Sequence, residues 1–328
     1  MTQNPIGRRS LLATPAFLTA GAAQAQSQAQ SWPDRPVRVV VNYSAGGAAD
    51  TACRLLQLGL SEALGQSVVI ENRTGAGGTI GAIAVARAPA DGYTILYEAA
   101  AHVVAPLMFR NLPIDYLTAF SYIGRATIQP YVMVANANFP GRTTQDFIAA
   151  ARSRRDPVTY GTPGVGSSGH IAAEAFAQAA GIRLEHVPYR GGAEAANALA
   201  AGDIDSACIT LSSAGPVVQA GRAHFLGVTG ASRAASHPDI PPLADGGLPG
   251  FDFTSWSGFM GPAGMPEEAI RKFAAALQAA GSHPATMQRL AASGFESAPT
   301  GPADFAALVA RDREAFGAVV RRAGMQPA

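Results

Sequence analysis

Cysteine, charge and long apolar runs are all scarce in this chain, and each scarcity excludes something. Two cysteines, Cys53 and Cys208, in 328 residues are too few to staple a fold even in an oxidising compartment. Both sit among apolar neighbours, which predicts separate buried thiols that pack as small hydrophobes. The six histidines are scattered and form no close-spaced set with cysteine, so neither a structural zinc nor any other metal or cofactor is expected. Charged residues are only 14% and nearly cancel, 24 basic against 23 acidic. Such balance gives no long-range attraction for a polyanion, so no nucleic-acid partner is expected.

The first apolar run, from Leu11 to about Ala23, is shorter than the roughly 20 residues that cross a hydrocarbon core. It follows Arg8 and Arg9 and ends at Ala23, Gln24 and Ala25, the pattern of a cleavable signal peptide over residues 1–25. Its removal takes away two arginines and no acid, leaving 22 basic against 23 acidic residues and a formal charge of −1. No cysteine stands at the cleavage point to carry a lipid. A soluble periplasmic chain is expected.

What is present is a repeated grammar of strand, glycine turn and helix. The run "VRVVVNY", residues 37–43, is continuous and β-branched, as in a strand covered on both faces. After the turn "SAGGAAD", Cys53, Leu56, Leu60 and Leu64 recur at helical spacing and stop at Gly65. "SVVIEN" and "GYTILYEAA" supply further strands, with "RTGAGGTIGAIAVARA" as turn and helix between them. That order predicts an α/β lobe whose function gathers beyond the carboxyl ends of its strands.

"FSYIGRATIQPYVMVAN", residues 120–136, is strand-like but interrupted by Gly124 and Pro130, which makes it a crossing between lobes. Two more units follow, through "GTPGVGSSGH" and "VPYRGGAEAANALAAGD", before a return at "HFLGVTG" and helices near 267–280, 284–293 and 302–323. The expected division is a signal peptide at 1–25, a first lobe built from 32–128 and 226–328, and a second lobe at 129–225. The expected fold is two-lobed and α/β, with a parallel-rich sheet in each lobe and a ligand cleft between them.

The glycine turns decide which ligands fit. "SAGGAAD" has neither the GxxxxGK[ST] order with its lysine nor the GxGxxG order, so a nucleotide is not expected. Main-chain amides at Gly46, Gly47, Ala48 and the first helical turn are expected to receive an oxygen-rich ligand without any lysine. Asp50 reads as a support for this turn, since its carboxylate repels an anion. In the second lobe Ser167 and Ser168 open a helix, with two readings left open: capping its free amides or reaching the ligand. His170 beside them reads as structural or as a donor at the cleft.

The ordered set "WPDRPVRVVVNYSAGGAAD", "LGQSVVIENRTGAGGTIGA", "ADGYTILY", "YGTPGVGSSGHIAAEAF", "VPYRGGAEAANALAAGDIDSA" and "LPGFDFTSWSGFMGPAGMP" resembles the tripartite tricarboxylate transporter receptors, the Bug or TctC-like solute-binding proteins. The resemblance runs from about Trp32 to the C-terminus. It implies a two-lobed α/β periplasmic-binding-protein fold, type II-like, in a monomeric Venus-flytrap receptor that closes on a small organic acid and delivers it to integral-membrane transporter subunits. It further implies ligand-facing roles for Tyr43, Ala45, Gly46 and Gly47, for Ser167, Ser168 and His170, and for Tyr189, Gly191 and Gly192 in the "PYRGG" loop. Arg190 reads mainly as a solvated side chain.

The chain departs from the family pattern at Ala48 and Ala49 and in "YEAAAHVVAP". If that loop borders the ligand, Glu98 is expected there, repelling a second carboxylate or receiving an ammonium, which opens the ligand class to monocarboxylates, amino acids and amides. A sensor for a signalling system is the alternative role. A Ser/His hydrolase is a weaker one, because "GVGSSGH" is not the G-x-S-x-G elbow and no orienting acid is identifiable; no enzyme activity is expected.

Overall fold

The computed structural model describes residues 1–2 and 32–325; apart from Met1 and Thr2, the expected signal peptide lies outside the described residues. From Trp32 onward the chain forms one compact unit. It opens with β1 (Val37–Val41), α1 (Ala48–Leu64), β2 (Val68–Asn72), α2 (Thr79–Ala86), β3 (Thr94–Ala99), the short α3 (Ala105–Met108) and β4 (Phe120–Gln129). There follow β5 (Tyr131–Asn136), α4 (Thr144–Ser153), β6 (Val158–Thr162), α5 (Ser168–Ala180), β7 (Leu184–Pro188), α6 (Gly192–Ala201), β8 (Ser206–Thr210), α7 (Leu211–Gln219) and β9 (Ala223–Val228). The chain ends with β10 (Ser255–Pro262), α8 (Glu267–Ser282), α9 (Pro284–Ala292), β11 (Glu296–Ser297) and α10 (Pro302–Arg322).

Two sheets result, ordered β11-β4-β10-β3-β1-β2 and β7-β6-β8-β5-β9. Each has a parallel core of three strands, β2-β1-β3 and β7-β6-β8. The remaining pairs are antiparallel, because the strands that cross between sheets return in the opposite direction. The sheets are therefore mixed, where the continuous apolar runs had pointed to mostly parallel ones.

The crossing is sharper than the sequence implies. Gly124 does not end β4: the strand continues to Gln129, although its pairing with β10 shifts register on either side of the Gly124–Arg125 pairs, and only Pro130 separates it from β5. Glycine is needed at 124 for close approach, since a Cβ there meets the Thr300 carbonyl oxygen at 2.4 Å. The expected division between 225 and 226 falls inside β9, whose pairing with β5 extends to Val228. Thr229 then ties both crossings together, its amide and hydroxyl donating to Tyr131 O and its hydroxyl also to Phe253 O.

The first core shows why these segments take these forms. On β1, Val37, Val39 and Val41 pack with Ile95, Tyr97 and the apolar stripe of α1, while Val40 and Leu96 face the other side. On α1 the buried stripe is Ala49, Ala52, Cys53, Leu56 and Leu60, and the helix stops at Gly65 in the left-handed conformation. Burying Leu56 and Leu60 completely contributes roughly 1.5–3 kcal/mol each. This packing fixes the start of α1 directly beyond the carboxyl end of β1. Among the described residues no helix is long and apolar enough to cross a membrane.

Candidate functional site

A cleft of about 600 Å³ opens where the carboxyl ends of β1 and β3 face those of β6, β7 and β8. The helices α1, α5, α6 and α7 all begin at its wall: Gly47, Ala48 and Ala49 line it from α1, Ser168 from α5, Gly192 from α6, and Ser212 and Ser213 from α7. Helix N-termini carry free N–H groups and partial positive charge, and four of them directed at one space make a site for an anion. Among the 24 lining residues none is Asp or Glu, and Arg190 is the one with a charged side chain. A smaller recess of about 150 Å³ lies behind the crossings, beside Pro130 and Thr229, away from these helix ends.

The loop after β1 uses its amides differently from the sequence reading. The Gly46 amide donates to Asp50 Oδ2 at 2.8 Å and the Gly47 amide to Ser44 O at 3.0 Å, so both are spent inside the turn. Intrahelical bonding starts with the Thr51 amide on Gly47 O, which leaves Ala48 and Ala49 as the donors at the cleft wall. Asp50 is 2% exposed and also accepts from Arg54 Nε at 2.9 Å and Asn72 Nδ2 at 2.9 Å. Burial raises its pKa, but the hydrogen bonds from Arg54, Gly46 and Asn72 carry it below the usual carboxylate value.

In the facing loop Ser167 is the N-cap of α5, its hydroxyl accepting the His170 amide at 3.2 Å. Ser168 points across: Ser255 Oγ of β10 donates to its hydroxyl at 3.2 Å, a bond between the two sides of the cleft. Capping and the bond across the cleft thus fall to different serines of the pair. Both line the cleft.

Of the residues singled out from sequence, Tyr43, Gly46, Gly47, Ala48, Ser167, Ser168, Gly191 and Gly192 line this cleft, whereas Ala45, Glu98, His170 and Tyr189 do not. Ala45 is exposed, between Ser44 and Gly46, which do line the cleft. Glu98 corrects the expectation most clearly. It is 2% exposed, and its carboxylate accepts from Asn42 Nδ2 at 2.7 Å, from Tyr43 Oη at 3.3 Å and from the Ala99 amide at 3.1 Å, with His102 Nδ1 3.7 Å away. It is a strut behind the Tyr43 loop, enclosed by protein donors and closed to a ligand ammonium. Those bonds, after burial, hold Tyr43 well above the usual phenol range, so it stays a donor to Glu98.

His170 is likewise turned inward. Its Nδ1 accepts the Gly166 amide at 3.0 Å and its ring stacks on His186 at 3.8 Å between centroids, tilted 15°. Burial first, then the neighbouring His186, depresses its pKa to about 4, so the ring is neutral and able to accept. Tyr189 packs over Gly161 of β6, where a Cβ would meet its ring at 3.0 Å.

Sequence reasoning missed the hydroxyl groups Thr210, Ser212 and Ser213, and Ser255 and Ser257. Signals for both existed. "ITLSSAG" repeats the strand-then-hydroxyl opening of "GVGSSGH", and "TSWSGF" places Ser255 and Ser257 two apart, on one face of a strand. Arg190, read as solvated, lines the cleft, and its guanidinium has no hydrogen-bond or ion-pair partner among the described residues. Cys53 and Cys208 are separate, buried thiols.

Residues 52–325 match the family described as the tripartite tricarboxylate transporter family receptor. A UPF0065 protein of Bordetella bronchiseptica is 35% identical over 320 residues, covering 97% of this chain and 94% of the relative. One from Pseudomonas sp. strain P51 is 33% identical over 310 residues, 94% and 92%. Among solved structures, R. palustris Rpa4515 with adipate aligns at a TM-score of 0.77 and 32% identity, covering 90% of this chain and all of that one. The periplasmic binding protein BugD aligns at 0.74 and 30% identity, with 90% and 100% covered. The chain accordingly belongs to the tripartite tricarboxylate transporter receptor family and is an extracytoplasmic, periplasmic solute-binding receptor, not an enzyme.

Proposed function

We propose that this receptor captures a small organic acid that carries no ammonium group, by closing two lobes over it, and hands it as a monomer to the integral-membrane subunits of a tripartite tricarboxylate-type transporter. The observation that carries the reading is the cleft wall: helix starts α1, α5, α6 and α7 together with Arg190, and no lining Asp or Glu. A carboxylate removed from water needs donors to replace its shell, and each hydrogen bond to a charged group contributes about 1.5–3 kcal/mol. An ammonium group needs a counter-charge, and Glu98, the acid that would supply it, is committed to Asn42, Tyr43 and Ala99. The amino-acid option is set aside on that ground.

Similar structures support the ligand class: one relative holds adipate and another, MatC of Rhodopseudomonas palustris, holds malate. The lobes in this proposal are the units around the two sheets, residues 32–129 with 255–325 and residues 131–228, hinged at Pro130 and Thr229. The test is native mass spectrometry of the protein purified with its endogenous ligand, followed by calorimetry with the compound found. An acid without an amino group that raises the unfolding temperature is the expected result. A bound amino acid, or no stabilisation by any carboxylate, sinks the proposal.

A further inference from the structure

We infer that the acid taken by this cleft carries hydroxyl groups at two or more carbons, as sugar acids do, instead of a plain hydrocarbon chain. This rests on the reading of the cleft as an organic-acid site and adds a statement about the part of the ligand that is not carboxylate. Half of the lining residues, 12 of 24, bear a hydroxyl group. What matters is how many of their hydrogens and lone pairs the protein itself uses.

At the start of α7, Thr210 Oγ1 lies 3.1 Å from Ser212 Oγ and 3.0 Å from Ser213 Oγ. Three hydroxyls bring three hydrogens and six lone pairs; those two bonds consume two of each, leaving one hydrogen and four lone pairs. Across the cleft the single bond from Ser255 to Ser168 leaves one hydrogen and three lone pairs. The two clusters together therefore offer seven acceptor positions against two donors. They belong to different elements, β8 with α7 in one case and α5 with β10 in the other.

A carboxylate, which has only lone pairs to offer, can use only the two hydrogens left over and leaves the acceptor positions unmet; its main donors are the amides of the helix starts and Arg190. A methylene chain is worse, since closure then strips water from the serines and gives nothing back. Hydroxyl groups on the ligand match, each donating one hydrogen to an acceptor-rich cluster and accepting the hydrogen left over. Two separated clusters call for hydroxyls at more than one carbon. Sites built to bond a ligand hydroxyl reject the analogue that lacks it by large factors.

The experiment uses four six-carbon acids in titration calorimetry with the mature chain. Galactarate and adipate differ in the hydroxyls of a dicarboxylate, and gluconate and hexanoate differ in those of a monocarboxylate. The expected result is at least about 100-fold tighter binding of the hydroxylated member in one of the two pairs, with that ratio shrinking at least about tenfold in Ser213→Ala or Ser168→Ala. If Ser213→Ala does not fold, the pairs measured on the unsubstituted chain decide alone. Adipate and hexanoate each bound as tightly as its hydroxylated partner overturns the inference and leaves the organic-acid reading intact. Binding of none of the four, with stabilisation by an amino acid instead, overturns both.

Discussion

The carboxylate of Asp50 accepts the amide hydrogen of Gly46 at 2.8 Å, from within the first turn of the helix that the Gly46 loop opens. A negative side chain thus sits in the first turn of a helix whose start lines the cleft, without facing that cleft: it is 2% exposed and shapes the turn from behind. Asp50→Ala removes an acceptor shared by Gly46, Arg54 and Asn72, at a cost of about 2–3 kcal/mol in unfolding free energy, and weakens ligand binding by loosening the loop. Because its folded pKa lies below the unfolded value, the stabilisation is present above about pH 4 and is lost as pH falls through the folded pKa. Chemical denaturation of both proteins at pH 7 and pH 3 checks this; equal differences at the two pH values speak against it.

Ser167 and Ser168 separate into different phenotypes. Ser167→Ala loses the cap on the His170 amide and lowers stability by about 1 kcal/mol. Ser168→Ala keeps the cap and lowers ligand affinity roughly tenfold or more, equivalent to about 1.4 kcal/mol. Thermal unfolding without ligand and calorimetry with it distinguish the two, and identical profiles for both variants contradict the assignment.

The stacked pair His170 and His186 makes the protein acid-sensitive. Burial holds each at about 4, below the unfolded value of about 6.5. Between those values the unfolded chain binds more protons, so stability falls as pH drops from 6.5 toward 4 and is level above that window. A proton on His170 Nδ1 also displaces the Gly166 amide, which disturbs the Ser167 turn. His170→Asn, with a side-chain oxygen to accept that amide and no titration, reduces the slope over this range by about half and leaves the part that His186 contributes. A slope as steep as in the parent removes His170 from the account.

Gly294 lies against Ser212 at the edge of the cleft. Its φ is +81°, and a Cβ there would stand 2.9 Å from Ser212 Cβ and 3.1 Å from its hydroxyl. Gly294→Ala therefore strains the turn and presses on α7 at the cleft edge, reducing affinity at least severalfold with slower association. Stopped-flow binding measures it, and unchanged rates count against a role in closure.

Cys53 and Cys208 stay inert. Both are buried, and burial pushes their thiols far up, away from the reactive thiolate. Intact mass after alkylation shows no label on the native protein and two labels after unfolding. Two missing protons and no label on unfolding would instead reveal a disulfide.

The sequence by itself determined the strand, turn and helix grammar, the two-lobed plan, the family and most of the loops that line the cleft. Those features are written in local pattern: the run Val37–Val41, the stripe Cys53, Leu56 and Leu60, and the hydroxyls Ser167 and Ser168 ahead of a helix. Only the tertiary structure decided which polar groups are free to meet a ligand. Gly46 and Asp50 are four residues apart, but Glu98 and Asn42 are 56 apart and Ser168 and Ser255 are 87 apart. A hydrogen-bonding group can be spent once, and whether it is spent depends on partners brought together by folding. Hence Glu98 and His170, both plausible ligand groups in a string of residues, are closed off by buried neighbours, while Thr210, Ser213 and Ser255 emerge at the cleft wall.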